Sequence, residues 1–285
     1  MGDNARKWIL RFTSNTFSAI LTGTVVTTLL DSSSAVIIIT IIFVNSHLLT
    51  FRQAMGIVLG ANIGTTVSSQ IIAMDIGKYS PVLLLFGFIL ILISKSERVN
   101  NSGKIILYFG VLFFGLFTME KSVEPLRSSS SFVNVLTYTQ NPLSGAFIGA
   151  VATLIIQSSS ATVGMAIILT KKGLLTIAGA IAVMLGAELG TCSDTLLATI
   201  RGSRQALKTG IFHLLFNLFS IVTGLVFFKQ FVAMVVYFSK NSSPQHTVAN
   251  AHMLFNIGGV VLIVFALPMI EKGLNKLLPD NVQSL

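Results

Sequence analysis

The sequence predicts an all-α polytopic membrane protein with two inverted-topology repeats, each containing a re-entrant helical hairpin and a broken transmembrane helix. Hydrophobic residues make up 53% of the 285 residues and charged residues only 10%, whereas soluble proteins average roughly 25% charged residues. Two unusual polar motifs also occur twice at one spacing. An odd number of predicted crossings between the two occurrences turns the second copy upside down relative to the first.

The duplicated motifs are a serine triplet, at residues 32–34 and 158–160, and a glycine-rich segment, at residues 60–66 and 186–191. In both cases 126 residues separate the first copy from the second. Polar groups in otherwise lipid-compatible sequence are costly, so they are kept for packing or for a site. We therefore interpret the chain as an internal duplication.

The first repeat comprises residues 1–136 and the second residues 137–285. The predicted elements are a hairpin at about 13–45, a broken helix at about 50–74, two further helices and a polar connector in the first repeat, and a hairpin at about 139–170, a broken helix at about 174–200 and further helices in the second. The apolar segments beside each triplet have about 12 to 18 residues, which is short for a full crossing and is typical of a re-entrant hairpin. Broken helices at membrane depth need protein or a water-filled cavity to satisfy their freed backbone groups.

Three predicted crossings in the first repeat, at 53–74, 80–94 and 105–119, give the odd number. On this topology twelve Lys and Arg residues lie on one side of the membrane and seven on the other. Cytoplasmic loops collect Lys and Arg, so both termini are expected in the cytoplasm of a multi-pass plasma membrane protein. The basic start lacks a cleavage pattern, and we expect no removable signal peptide.

The serine triplets are candidate anion sites. If each triplet caps the second helix of its hairpin, the unbonded N–H groups and the partial positive charge of that helix end face the tip. Such helix ends bind oxyanions. The alternative is that small residues simply allow close helix packing.

The glycine-rich segments are candidate sodium sites, since hydroxyl, amide and freed backbone oxygens coordinate Na⁺ at broken helices. A hinge without an ion is the alternative. Asp31 and Glu188 are carboxylates placed deep in the membrane, where an unpaired charge is expensive. They are candidate cation ligands or proton carriers, or structural partners of a nearby hydroxyl or amide.

A second matched pair places His213 with Asn217 and His252 with Asn256, each four residues apart on one helical face. These side chains could line a cavity or form hydrogen bonds between helices. They lack the soft or carboxylate partner of a transition-metal site. The sequence has no nucleophile-and-base arrangement and no phosphate-binding loop, so we expect no enzymatic activity.

These motifs resemble the sodium-dependent phosphate cotransporter family, the type II Na⁺/Pi symporters and their bacterial relatives. The resemblance covers nearly the whole chain, and it implies movement of inorganic phosphate coupled to the Na⁺ gradient by alternating access. The implied phosphate ligands are Ser32, Ser33, Ser34, Gln157, Ser158, Ser159 and Ser160. The sodium ligands expected from the motifs and the resemblance are Asp31, Asn62, Gly64, Thr65, Thr66, Glu188, Gly190 and Thr191.

Two residues depart from the family pattern: Asp31 stands where Gln is usual, and Glu188 stands where Asn is usual. A Na⁺- or H⁺-coupled transporter of another small oxyanion therefore stays open, as does a non-transporting membrane scaffold. The expected partners are inorganic phosphate, Na⁺ as coupling ion and the lipid bilayer. We expect no other cofactor and no nucleic acid, and the sequence allows a homodimer.

Overall fold

The computed structural model describes residues 3–279, and the side chains from Trp8 to Pro279. These residues form helices and no strand. The α-helices are α1 (Asp3–Phe12), α2 (Thr16–Leu30), α3 (Ser33–Asn45), α4 (Phe51–Ala73), α5 (Ser80–Ile93), α6 (Glu97–Val123), α7 (Ser130–Tyr138), α8 (Pro142–Ile156), α9 (Ser159–Lys171), α10 (Ile177–Gly190), α11 (Cys192–Leu197), α12 (Arg204–Val226), α13 (Phe228–Phe238), α14 (Pro244–Val264) and α15 (Leu267–Leu277). Short 3-10 helices lie at Gly77–Tyr79 and Glu124–Ser128.

Five helical segments in the described part of the chain are long and apolar enough to cross a membrane, which confirms the predicted polytopic all-α class. They are Phe51–Ala73, Glu97–Ser128, Ile177–Leu197, Arg204–Val226 and Pro244–Val264. A sixth span results if α7 and α8, which are bent by 119°, are counted as one.

Helix starts in the two repeats are capped by the same residue types. Asn15 caps α2 and Asn141 caps α8, while Thr50 caps α4 and Thr176 caps α10. Each cap side chain accepts a hydrogen bond from a backbone N–H of the first turn, which would otherwise lack a partner. Because both pairs are 126 residues apart, the duplication seen in the sequence extends to the local structure.

Helices α2 and α3 form one hairpin, and α8 and α9 form the other. Asp31 and Gln157 end the first helix of each hairpin in the left-handed conformation, with φ of 51° and 59°, and a left-handed residue stops a helix. The paired helices have 15 and 13 residues in both hairpins. At 1.5 Å per residue they are roughly 20 Å long, shorter than the ~30 Å hydrocarbon core.

Glycines bring the backbone of each hairpin into direct contact with the helix that follows it. A methyl group added at Gly60 would lie 1.9 Å from the Ile20 carbonyl oxygen, and one at Gly186 would lie 1.7 Å from the Ala146 carbonyl oxygen. Such small residues let helices approach closely in membranes. We call these two contacts, α2 with α4 and α8 with α10, the glycine seams.

The predicted break in the first glycine-rich segment is wrong, because α4 runs without interruption from Phe51 to Ala73. Its glycines serve the seam rather than a chain break, and the hydroxyls of Thr65 and Thr66 bond to backbone carbonyls of their own helix. In the second repeat one residue, Thr191, separates the end of α10 at Gly190 from the start of α11 at Cys192, and Ile177–Leu197 still forms one span of membrane length. A broken helix in this segment stays a prediction.

The helices after the seams differ between the repeats. Helices α5 and α6 pack mainly against each other, whereas α12 and α14 lie at the centre and contact both repeats. Helix α12 packs on α3 and α10, and α14 packs on α9 and α4. Two hydrophobic cores result, one around each hairpin, and the polar residues of α12 and α14 lie between them.

Candidate functional site

The two hairpin tips line one cavity. The first tip, residues 31–34, contributes Asp31, and the second tip, residues 157–160, contributes Ser158 and Ser160. Ser68 of α4 lies in the same wall, and apolar residues of α4 and α6 form most of the rest. This tip cavity has a volume of about 490 Å³, so it has room for a small hydrated solute.

The first serine of each triplet caps the second helix of its hairpin. Ser32 Oγ accepts a hydrogen bond from the Ala35 N–H, and Ser158 Oγ accepts one from the Ala161 N–H, both at 3.2 Å. The two caps thus satisfy one N–H each and leave the earlier N–H groups of α3 and α9 without a partner within the helix. The partial positive charge of each helix N-terminus lies at a tip, as the sequence predicted.

The remaining tip residues have different surroundings. Ser34 Oγ donates to Asp194 Oδ2 of α11 at 3.4 Å, and Ser159 is buried. Ser33 is partly exposed and Gln157 is exposed. The structure therefore gathers Asp31, Ser158 and Ser160 at the cavity and directs Ser34 toward the second repeat.

Two carboxylates lie at exchanged positions in the repeats. Asp31 at the first tip accepts a hydrogen bond from Ser68 of α4. The residue 126 positions after Asp31 is Gln157, and the residue 126 positions after Ser68 is Asp194. Each repeat thus carries one carboxylate in this pair of positions, at the tip in the first repeat and on α11 in the second. Sequence reasoning did not select Asp194 or Ser68, although the 126-residue shift relates them.

Asp194 lies just after the helix interruption at Thr191. Ser193 Oγ is 3.4 Å from Asp194 Oδ1 and donates to the Gly190 carbonyl oxygen at 2.9 Å. Together with Ser34, these groups form a cluster of carboxylate, hydroxyl and carbonyl oxygens. Hard cations such as Na⁺ bind oxygen donors of this kind.

The residues of the glycine-rich segments bond mostly to their own helices. Asn62 Nδ2 donates to the Val58 carbonyl, and Thr191 Oγ1 donates to the Glu188 carbonyl. Gly64 packs on Thr27 and Gly190 packs on Thr153. Neither these residues nor Thr65 and Thr66 are among those that line the tip cavity.

Glu188 is paired with a histidine in the buried centre of the molecule. Glu188 Oε1 lies 2.6 Å from His252 Nε2, and His252 Nδ1 lies 2.6 Å from Ser69 Oγ of α4. All three side chains are buried. This chain links α10, α14 and α4, so it joins the second repeat to the first through hydrogen bonds.

His213 of α12 makes the corresponding contact to a hydroxyl of the second repeat, whereas His252 contacts a hydroxyl of the first. The Nδ1 of His213 lies 2.8 Å from Thr195 Oγ1 and its Nε2 lies 3.1 Å from Asn217 Nδ2. Thr195 follows Ser69 by 126 residues, so each histidine bonds the equivalent hydroxyl. Asn217 also donates to the Glu188 carbonyl, and Asn256 donates to the His252 carbonyl. Both histidines thus form hydrogen bonds between helices, and neither lines the tip cavity.

Comparison with known proteins identifies the family to which the chain belongs. The model of the Na⁺/Pi-cotransporter family matches residues 1–121 and again residues 118–272, so it matches the two halves separately. The uncharacterized protein YqeW of Bacillus subtilis is 28% identical over 272 residues, which are 95% of this chain and 88% of YqeW.

Two named relatives are matched over a smaller part of their length. YjbB of Escherichia coli K12, whose name describes a candidate inorganic phosphate export protein, is 29% identical over 255 residues, which are 88% of this chain and 46% of YjbB. The human sodium-dependent phosphate transport protein 2B is 28% identical over 131 residues, 42% of this chain and 19% of the relative. No solved structure matches the chain. With both halves matched by one family model, the chain belongs to the Na⁺/Pi-cotransporter family.

Proposed function

We propose that the protein is a secondary active transporter that couples the movement of inorganic phosphate to the Na⁺ gradient. Transport proceeds by alternating access around a site between the two tips. Membership of the Na⁺/Pi-cotransporter family supports this proposal, as do the names of YjbB and of transport protein 2B. The match covers 46% of YjbB, and the export that the name of YjbB describes belongs to the whole of that protein. For this chain, export is one of two proposed directions of transport.

The observation that carries the proposal is the tip cavity. The N-termini of α3 and α9 lie at the two tips, and each offers N–H groups without a partner in the helix. Ser158 and Ser160 at the N-terminus of α9 line the cavity, whereas the first tip contributes only Asp31 and none of Ser32, Ser33 and Ser34. A movement of the first tip that brings the N-terminus of α3 to the cavity would give a tetrahedral oxyanion donors from two helix ends without an arginine. The serines implied by the family resemblance remain the proposed phosphate ligands.

The carboxylates support coupling to a cation. Asp31 lies in the wall of the tip cavity, where its negative charge repels phosphate. A sodium ion bound beside the carboxylate removes this repulsion, so that cation and anion bind more tightly together than apart. Asp31 and the oxygen cluster at Asp194 are the proposed sodium ligands nearest to the tips. The glycine-segment residues require rearrangement before their side chains become ligands, because they are bonded within their helices.

We place the hairpins as re-entrant elements in repeats of opposite orientation, with both termini in the cytoplasm. Hairpin helices shorter than the hydrocarbon core support the first point. Opposite orientation requires an odd number of crossings in the first repeat, so α5, which has 14 residues, must cross together with the longer α4 and α6. The predicted bias of Lys and Arg residues supports the cytoplasmic termini.

The decisive experiment measures labelled phosphate entry into proteoliposomes with and without an inward Na⁺ gradient. Faster entry with the gradient is expected, and equal entry in both cases contradicts sodium coupling. Loading the vesicles with phosphate and reversing the gradient measures export in the same preparation. Ser33→Ala and Ser159→Ala are expected to weaken phosphate binding, whereas Ser102→Ala, at an exposed position, is the matched control and leaves transport unchanged.

A second candidate is a transporter of another small oxyanion, or one driven by protons. The carboxylates Asp31 and Glu188 support this second candidate, because they stand at positions where the family pattern has amides. Competition by sulfate or arsenate tests the anion, and a pH gradient without Na⁺ tests the driving ion. Reconstituted protein that moves no anion under either gradient indicates a membrane scaffold instead.

A further inference from the structure

A second cavity lies between the N-terminal helix and the first hairpin. It has a volume of about 230 Å³. Helix α1 contributes Trp8, Ile9 and Phe12, and the hairpin contributes Val26, Val36 and Phe43 among other apolar residues. The cavity is separate from the tip cavity, and the two share no lining residue.

The polar side chains of this second cavity are already satisfied. Three threonines contribute to its wall, and each hydroxyl donates to a backbone carbonyl: Thr13 to Ile9, Thr22 to Phe12 and Thr40 to Val36, all at 2.7 Å. The wall therefore presents hydrocarbon, with no free polar group for water. A hydrocarbon wall suits an apolar ligand and offers no partner to an ion taken out of water, so the cavity fits neither phosphate nor Na⁺.

The open side of the cavity carries positive charge. Trp8, Phe12 and Ile39 line the cavity and are 55%, 51% and 42% exposed. The Arg11 guanidinium carbon lies 5.9 Å from the centre of the Trp8 ring. Basic amphipathic helices with a tryptophan lie in the membrane interface and attract anionic lipids.

We propose that this cavity binds one acyl chain of an anionic phospholipid, whose headgroup phosphate contacts Arg11. Charge complementarity selects this occupant, because the hydrocarbon wall accepts any acyl chain whereas the basic helix favours a negative headgroup. The bound lipid links α1 to α2 and α3, and so it stabilises the first hairpin against α1. The inference does not depend on which solute the protein transports.

The test measures lipid binding to the purified full-length chain by native mass spectrometry and by thermal unfolding. The probes are phosphatidylglycerol, phosphatidylcholine with the same acyl chains, and inorganic phosphate alone. Phosphatidylglycerol is expected to bind about fivefold more tightly than phosphatidylcholine, from one arginine at the surface. Inorganic phosphate alone is expected to leave the lipid-dependent stabilisation unchanged, which separates a lipid headgroup from a free anion.

Two substitutions and their controls locate the site. Val26→Phe fills the cavity and is expected to abolish binding of both lipids, whereas Val25→Phe, at the neighbouring position outside the cavity, preserves it. Arg11→Gln, at an exposed side chain, is expected to remove the preference for phosphatidylglycerol. Arg98→Gln, also exposed, preserves the preference. Equal binding of the two lipids to the unaltered protein, or a preference unaltered in Arg11→Gln, overturns the proposal.

Discussion

Lys171 at the end of α9 and Asp75 after α4 form an ion pair that ties the second repeat to the first, with 2.6 Å between Nζ and Oδ1. A neutral contact between the two repeats, which we also call a joint, occurs at the end of the equivalent helix α3. Asn45 at the end of α3 accepts a hydrogen bond of 2.7 Å from the Ser203 N–H, and Asn45 precedes Lys171 by 126 residues. If the repeats are inverted, the two joints lie on opposite faces of the membrane.

Lys171→Met is expected to destabilise the protein more than Asn45→Ala does. Lys171 also contacts Glu120 at 2.7 Å, and its side chain is 23% exposed, so its loss removes the cation paired with Asp75 and leaves Glu120 paired with Lys172 alone. We expect a cost of about 1–2 kcal/mol for Lys171→Met and about 1 kcal/mol or less for Asn45→Ala. Thermal unfolding in detergent at low and high salt measures both. A larger loss for Asn45→Ala contradicts this ranking.

The neighbouring Lys172 predicts a stability change at alkaline pH. Its hydrogen bond to Glu120, at 2.9 Å, raises the pKa of Lys172 above the ordinary value, and burial opposes this only in part. A raised pKa in the folded state gives stability that is present below the unfolded pKa of about 10.4 and is lost as the pH rises through the folded value. Unfolding between pH 9 and pH 11 is therefore expected to show a steeper loss for the unaltered protein than for Lys172→Gln. Parallel curves for the two proteins would contradict this assignment.

Alanine at Gly60 or Gly186 is expected to prevent normal folding. The added methyl group would overlap a backbone carbonyl in either glycine seam, and backbone cannot move aside as a flexible side chain can. We expect a loss of about 3 kcal/mol or more. Gly258→Ala is the matched control, because nothing lies within 4 Å of its added methyl group, and the change favours the helix by up to about 1 kcal/mol. Yield and thermal unfolding distinguish these outcomes.

The buried pair of Glu188 and His252 is expected to show strong coupling. Replacing either residue alone by leucine leaves the other buried without its partner, at a cost of about 3–5 kcal/mol. The double replacement is expected to cost less than the sum of the single ones, because neither unpaired group remains. Unfolding of the three variants completes the cycle, and additive losses indicate that the pair contributes no coupling.

The exchanged carboxylates predict a rescue. Asp31→Gln is expected to weaken Na⁺ binding about tenfold, equivalent to ~1.4 kcal/mol. Adding Ser68→Asp gives the first repeat the arrangement of Gln157 and Asp194, and is expected to restore much of the affinity. Stabilisation of the protein against heat by Na⁺ measures the affinity without transport. Unchanged affinity in Asp31→Gln removes Asp31 from the cation site, and a double variant no better than Asp31→Gln shows that a carboxylate at position 68 cannot replace it.

The sequence predicts the parts of the fold that depend on local chemistry. The serine caps of α3 and α9 occur at the repeated motifs, since a cap and a left-handed turn involve only a few neighbouring residues. The re-entrant course of the hairpins stays a prediction. The prediction of a break in α4 was wrong because Gly60 allows close contact with the Ile20 carbonyl of α2 and does not interrupt its own helix. A glycine that allows a close approach cannot be distinguished from a glycine that breaks a helix until the partner is known.

The contacts of the candidate site residues were harder to predict from the sequence, because they also depend on residues of other helices. His252 is 64 residues from Glu188 in the chain, and no pattern in the sequence relates the two. The central positions of α12 and α14 bring them together. Asp194 could have been found by comparing each polar residue with its counterpart 126 positions away, which pairs it with Ser68.

The glycine seams also determine which parts of the molecule can move. Because the backbones of α2 and α4 touch, and those of α8 and α10 touch, neither helix of a pair can slide past its neighbour without a collision. Each pair must then travel as a rigid body during any rearrangement, and the adjustable contacts are those between the bodies. Spectroscopic labels within one body should report an invariant separation in every state, while labels on different bodies should report any rearrangement between them.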